Sequence, residues 1–333
     1  MFNIVKANEP LIIKNVNILI YGEPGVGKTS LANTAINPLT LDFDNGIHRS
    51  DNRKDVFVVE NWKVVNNNMN DFMKLLSGYN TIIIDTVDTL LDYMGAWIIE
   101  QTPRYSQPKY KLQFYGSLKD EFAKLIGRLR TLGKDVVCLA HMKEKDEGDL
   151  RIKRPAITGG SYDRVMQLSD FVGYLFIKDN KRTLDFNPTD FWFGKNSAKF
   201  DQLQVPDFKS NPDFLSNLII EMKNSINKQT QAQAESVITI TKYNQRIQDS
   251  KKPEDFNFLM SEMSNLKNGV KVQLWENMQK KANQLGFEFL KKEKKFVAKQ
   301  EEVTTTKELE QDNIDEYLDN TDKVVADDSD FIF

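Results

Sequence analysis

Residues Asn17–Asn33 read NILIYGEPGVGKTSLAN, and the order of the three parts of this stretch decides the fold. Ile18 to Tyr21 form a short apolar run. Gly22, Gly25, Gly27, Lys28 and Thr29 then fall at the spacing G-x-x-x-x-G-K-T, and Leu31, Ala32 and Ala35 recur at helical intervals. Strand, glycine loop and helix in that order form the context a phosphate-binding loop requires. The glycines let the backbone curl so that successive N–H groups point inward at an anion, and the helix starting near Gly27 adds its positive end. Expected phosphate contacts are therefore Gly22, Glu23, Pro24, Gly25, Val26, Gly27, Lys28, Thr29 and Ser30. Lys28 would bridge the outer phosphates as a point charge, and the Thr29 hydroxyl would be a ligand of Mg²⁺.

This loop resembles the Walker A motif of the P-loop NTPases, which implies ATP and Mg²⁺ as cofactors. Downstream, Leu39 to Asp44 (LTLDFD) and Val56 to Glu60 (VFVVE) read as buried strands. Thr81 to Asp85 (TIIID) is apolar, β-branched and closed by a carboxylate, the Walker B pattern, so Asp85 is expected at the metal. Helical spacing follows through Leu90, Leu91, Met94, Trp97 and Ile98. Pro103 and Pro108 then interrupt the pattern. The intervening loop carries Arg104, Lys109 and Lys111 with Tyr105 and Tyr110, and no acid. Cations that track phosphates and rings that stack on bases are what a single-stranded nucleic acid requires.

Ser117 to Leu132 reads as an amphipathic helix, and Asp135 to His141 (DVVCLAH) as a strand whose terminal His141 emerges at the ligand-binding edge of an open sheet. His141 is a candidate γ-phosphate sensor. Met142 to Arg164 reads as a long polar loop with cations clustered at Arg151, Lys153 and Arg154. Three short apolar runs, beginning at Asp170, Thr183 and Asp190, suggest a β-meander.

The motifs IYGEPGVGKTSLA, LTLDFDNGIHR, TIIIDTVDTL and DVVCLAHMKE, with the meander ending in GKNS, resemble the RecA core over about residues 14 to 220. Within that group they are similar to phage nucleotide-binding proteins that include RecA-like single-strand annealing proteins. The resemblance implies an α/β fold with a twisted, mostly parallel sheet flanked by helices. Thr86 stands where many P-loop ATPases place a catalytic Glu, and the family's alternative position for that carboxylate matches Asp44. Asp42, two residues away on the same face of a regular strand, is a rival that spacing does not remove. Catalytic candidates are thus Asp44, Lys28 and His141. Two DNA-binding loops are implied, carrying Arg104, Tyr105, Lys109, Tyr110 and Lys111, and Arg151, Lys153 and Arg154. The family forms its site between neighbours in a ring or filament, so a homo-oligomer is expected with a cation reaching across subunits. Lys178, Lys181, Arg182 and Lys195 are candidates, with Lys195 favoured.

The 333 residues suffice for one large and one small domain, expected as an ATPase domain over 1–222, a helical region over 223–299 and a disordered acidic tail over 300–333. No run approaches the roughly 18 to 20 apolar residues of a membrane helix, and MFNIVKANEP lacks a leader pattern, so a cytoplasmic protein is expected, in host cytoplasm if phage-encoded. The single Cys138, inside an apolar run, reads as an inert buried thiol. From Glu301 to Phe333 twelve acids face two lysines, whereas the rest of the chain is basic, a distribution suited to a polyanion partner. Two helices meet near Asn268 and Gly269, and Phe287 to Lys299 reads as a lysine-rich helix face. The terminal DDSDFIF is similar to the tips of bacterial and phage single-stranded DNA-binding proteins, implying a replication or recombination partner. The expectation is an ATPase that assembles on single-stranded DNA and promotes annealing or strand pairing in phage-type recombination. A replication motor or helicase loader is one alternative, and an ATP-switched scaffold with little turnover another.

Overall fold

The computed structural model describes residues 4–148, 150–157 and 161–299. The acidic tail and its tip lie outside the described residues. The chain divides into two compact units, 12–229 and 1–11 with 230–333.

The larger unit is built on a sheet in which β1 (Asn17–Gly22) lies between β5 (Asp135–Glu147) and β7 (Phe171–Lys178). Beyond β5 come β4 (Thr81–Asp85), β2 (Pro38–Asp42) and β3 (Asp55–Val58), all parallel. On the other side β8 (Lys181–Asp185) and β10 (Leu203–Gln204) return antiparallel, β9 (Lys195–Asn196) pairs with β7, and β6 (Leu150–Pro155) pairs with β5. The sheet is mostly parallel with a trailing antiparallel meander.

Alternation along the central strands divides the core in two. Leu19, Tyr21, Ile82, Ile84, Val136, Cys138 and Ala140 face the helices α4 (Val87–Gln101) and α5 (Lys111–Thr131). Ile18, Ile20, Ile83, Val137 and Leu139 face the opposite layer, with Leu31 and Ala32 of α1 (Lys28–Ala32) and Leu215, Leu218 and Ile219. These last three lie near the start of the long helix numbered 214–249. Strands buried on both faces need nearly continuous apolar sequence, which is why TIIID and DVVCLA carry so little polarity. Parallel pairing then places all the carboxyl ends at one edge: Gly22 lies beside His141, and Asp42 beside Asp85.

The remaining helices of the larger unit are α2 (Trp62–Asn67), α3 (Met69–Leu76) and α6 (Ser161–Leu168). The long helix, α7 (Phe214–Asp249), runs through the unit boundary. In the smaller unit α8 (Pro253–Met263) and α9 (Asn268–Gln284) are followed by a hairpin, β11 (Phe287–Leu290) and β12 (Lys295–Ala298). Among the described residues no helix is long and apolar enough to cross a membrane.

Two expectations change. The 287–299 segment is a hairpin rather than a helix face, because Phe287, Phe289 and Phe296 alternate as strand residues while four of the lysines fall in or beside the turn. The 142–155 segment is also a hairpin: Glu144 faces Lys153 and Asp146 faces Arg151, so pairing rests on cross-strand charge, which hydropathy does not reveal.

Candidate functional site: a nucleotide pocket at the carboxyl edge

The loop after β1 is shaped by its glycines. Gly25 and Gly27 have φ of 78° and 97°, the left-handed region, and a Cβ on Gly22 would stand 2.3 Å from the Leu175 carbonyl oxygen of β7. α1 is only five residues long, so the anion-holding capacity lies in the loop amides more than in a helix dipole. Lys28 is buried, and its Nζ donates to Gly22 O at 3.0 Å and Glu23 O at 2.9 Å. Burial lowers its pKa, opposed by the nearby carboxylates of Asp85, Asp88 and Asp44.

The loop lines a cavity of about 270 Å³ together with Asp44, Arg49, Ser50, Asp51, Asp85, Thr86, His141 and Arg182. From the loop itself come Pro24, Gly25, Gly27, Lys28, Thr29 and Ser30. Gly22 and Glu23 serve through their carbonyls, and Val26 turns its side chain into the core.

Thr29 Oγ1 donates to Asp85 Oδ2 at 2.7 Å. Burial pushes the Asp85 carboxyl up to about 6, with the Thr29 hydrogen bond pulling the other way. One hydroxyl and one carboxylate facing a phosphate cradle fit Mg²⁺, which takes few protein oxygens and fills its octahedron with phosphate and water. Among the described residues no cluster of three or more His, Cys, Asp or Glu could hold a metal by itself. Mg²⁺ would neutralise charge developing on the phosphates and would favour the ionised form of Asp85.

The two rival carboxylates separate cleanly. β2 ends at Asp42, whose oxygens accept the backbone N–H groups of Gly46 at 3.2 Å and Ile47 at 3.3 Å, so it ties down the following turn. Asp44 lies past the strand end and faces the cavity. Thr86 Oγ1 is 3.2 Å from both Asp44 oxygens, Thr89 Oγ1 donates to Oδ1, and His141 Nε2 is 3.4 Å from Oδ2. The His141 hydrogen bond leads the effects that hold the Asp44 carboxyl below the usual carboxylate value. A charged acceptor held from three directions is suited to orienting a water.

Sequence reasoning missed Thr86 and Thr89 as supports of Asp44, and Arg49, Ser50 and Asp51 as cavity wall. The wall is fixed by short-range polar contacts: Ser30 Oγ lies 3.1 Å from Ser50 Oγ, and Asn52 Nδ2 donates to Ser30 O at 2.8 Å. Arg182, considered as a cation for a neighbouring subunit, reaches its own loop, with Nε donating to Val26 O at 3.0 Å. Lys195 stands outside the cavity and donates to Ser169 O at 2.6 Å, whereas Lys178 and Lys181 are exposed at the β7–β8 turn.

The expected DNA-binding residues fall into two groups. Arg104 to Lys111 folds as two short 3-10 turns, each opened by its proline, leading into α5. The Arg104 guanidinium lies 5.7 Å from the Tyr105 ring and 5.6 Å from the Tyr110 ring, and Lys109 Nζ lies 4.9 Å from Tyr110. On β6, Arg151 pairs with Asp146 at 3.2 Å and Glu144 at 3.5 Å, Arg154 pairs with Glu147, and Lys153 lies over Tyr174.

A mostly parallel sheet, a glycine loop with its lysine, and a hydroxyl–carboxylate pair at one edge define a P-loop ATPase. The chain belongs to the AAA domain family AAA_24, whose model matches residues 14–198. No curated protein matches. Among solved structures it is similar to the KaiC-like protein PH0186 of the hyperthermophilic archaeon Pyrococcus horikoshii OT3, at 12% identity and a TM-score of 0.31. That match covers 54% of this chain and 85% of the other.

Proposed function

We propose that this ATPase acts on single-stranded DNA, assembling along it as a ring or filament and promoting annealing or strand pairing in phage-type recombination. In this reading Asp44 orients the attacking water and Lys28 bridges the outer phosphates. Thr29 and Asp85 hold Mg²⁺, and His141 reports the γ-phosphate. A cation from the neighbouring copy, Lys195 or the exposed Lys178 or Lys181, completes the site.

The observation that carries the reading is the surface from Arg104 to Leu112. Arg104, Lys109 and Lys111 are exposed, Tyr105 and Tyr110 are half-buried beside them, and Leu112 is 83% exposed. No acidic residue occurs between Thr102 and Lys119 to neutralise these charges. Cation and ring in alternation suit a flexible strand whose bases can stack without regard to sequence.

The test replaces Arg104, Lys109 and Lys111 together by Ala and measures oligonucleotide binding and strand-stimulated ATP hydrolysis. Single-strand affinity should fall at least tenfold, the salt dependence should flatten by about 2 in slope, and nucleotide affinity should hold. Equal strand affinity in both proteins would overturn the assignment. Electron microscopy with an ATP analogue, with and without the strand, tests the assembly.

A further inference from the structure

The smaller unit contains a second arrangement suited to nucleic acid, separate from the Arg104 surface. α8 and α9 are joined by four residues, Ser264 to Lys267, the connection length of DNA-binding helix–turn–helix units. Phe256, Leu259 and Met263 of α8 pack with Leu274, Trp275 and Met278 of α9, which fixes the inner face of α9 in the core. The opposite face is exposed at Gln273, Glu276, Lys280 and Asn283, spaced three, four and three residues apart along one line of the helix. Amide side chains on such a line can exchange paired hydrogen bonds with base edges.

The hairpin behind α9 is rigidly held. Trp275 meets the Phe289 ring at 4.8 Å, and Phe256 meets Phe296 at 5.5 Å. Asn257 accepts the Phe296 N–H at 2.6 Å and donates to the Phe296 carbonyl at 3.0 Å. This anchoring presents the turn between β11 and β12, where Lys292, Lys294 and Lys295 are exposed and Lys295 is paired to Glu293 at 2.6 Å. From Lys267 to Lys299 the sequence has nine lysines, three glutamates and no aspartate.

We propose that this unit binds double-stranded DNA, with α9 in the major groove and the lysine turn on the phosphate backbone. A duplex suits it better than a single strand because Phe256, Trp275 and Phe296 are buried in its own core, so neither α9 nor the turn offers them for base stacking. A polar helix face is what a groove about 12 Å wide admits. Gln273, Lys280 and Asn283 meet base edges, and the turn supplies the sequence-independent attraction.

The experiment titrates the full-length protein, without nucleotide, into a fluorescent duplex of about 20 base pairs and follows anisotropy at several salt concentrations. Reversing Lys291, Lys292, Lys294 and Lys295 to Glu should weaken duplex binding at least tenfold and flatten the salt dependence by about 3 in slope. A circular-dichroism spectrum and thermal unfolding like those of wild type show that the variant is folded, and ATP turnover without DNA should stay unchanged because the nucleotide cavity lies in the larger unit. If it is not folded, Lys292→Ala with Lys294→Ala replaces it, with a smaller loss expected. The Arg104, Lys109 and Lys111 variant should retain duplex binding, which separates this site from the single-strand surface. A wild-type chain that ignores duplex at low salt, or a lysine variant that binds as tightly as wild type, overturns the proposal. Recognition of a protein partner in place of duplex overturns it equally.

Discussion

Asp44 Oδ2 and His141 Nε2 lie 3.4 Å apart at the rim of the nucleotide cavity. Each shifts the other: His141 holds the Asp44 carboxyl below its usual 3.8, and Asp44 holds the imidazole above its usual 6.5. Among the described residues His141 Nδ1 is buried with no hydrogen-bond partner, and Nε2 is the ring nitrogen that faces Asp44. A raised imidazole stabilises the fold below its unfolded value and ceases to as pH climbs through its folded value. A depressed carboxylate stabilises above its unfolded value and ceases to as pH falls through its folded one. The pair is therefore strongest between about pH 4 and 6.5. Asp44→Asn should lower the His141 titration midpoint, followed by NMR in a chain with only two histidines. An unmoved midpoint would mean the contact is absent in solution.

Asp85 gives the opposite sign. Its carboxyl is raised from 3.8 to about 6 by burial, so its contribution to folding is present at low pH and lost as pH rises through about 6. Without nucleotide or Mg²⁺, Asp85→Asn should stabilise the protein at pH 7.5 by about 1–3 kcal/mol, with the gain vanishing towards pH 4. The same change should abolish any stabilisation by Mg²⁺ with ATP. Chemical unfolding at the two pH values, with and without the ligands, measures both, and a variant destabilised at pH 7.5 would contradict the sign.

Thr89 and Thr86 hold Asp44 without lining up as chemical groups themselves. Thr89→Val should lower kcat about tenfold, the value of one hydrogen bond to a charged group, with KM for ATP unchanged. Asp44→Asn should cost far more, about 10²–10⁴. If Thr89→Val raised KM and spared kcat, its hydroxyl would be serving nucleotide binding instead.

Gly27 has two independent reasons to lack a side chain. Its φ is 97°, and an added Cβ would stand 2.9 Å from Arg182 Nε. Gly27→Ala should lose about 1–2 kcal/mol from the backbone alone, plus whatever displacing Arg182 costs. Adding Arg182→Ala should recover only the second part. Full recovery in thermal unfolding would show that crowding, not backbone conformation, decides the site.

The sheet and the phosphate loop were legible because both are local: continuous apolar runs of strand length, the glycine spacing and a carboxylate closing TIIID each lie within a few residues. His141 was legible from its position at the end of the DVVCLAH strand, whereas Asp44 came through family resemblance, and only the strand end at Asp42 separates Asp44 from its rival. Arg49, Ser50, Asp51 and Thr89 were not legible, because their roles depend on contacts across 20 to 45 residues of sequence, such as Ser30 with Ser50 and Thr89 with Asp44. The two hairpins at 142–155 and 287–298 were hidden for a different reason. Their strands are carried by charge pairs or by aromatics amid lysines, and neither produces an apolar alternation of useful length.

The hydroxyl of Tyr21, the residue just before Gly22, lies 2.6 Å from Phe193 O and 3.1 Å from Lys153 O. Its one proton is shared between the meander and the strand that carries Arg151, Lys153 and Arg154. Tyr21 itself is buried, with its ring 5.1 Å from that of Tyr174. One hydroxyl in the strand that enters the phosphate loop thus ties that strand at once to the meander and to the arm bearing Arg151, Lys153 and Arg154, so that Tyr21→Phe would free both from it in a single atom's change.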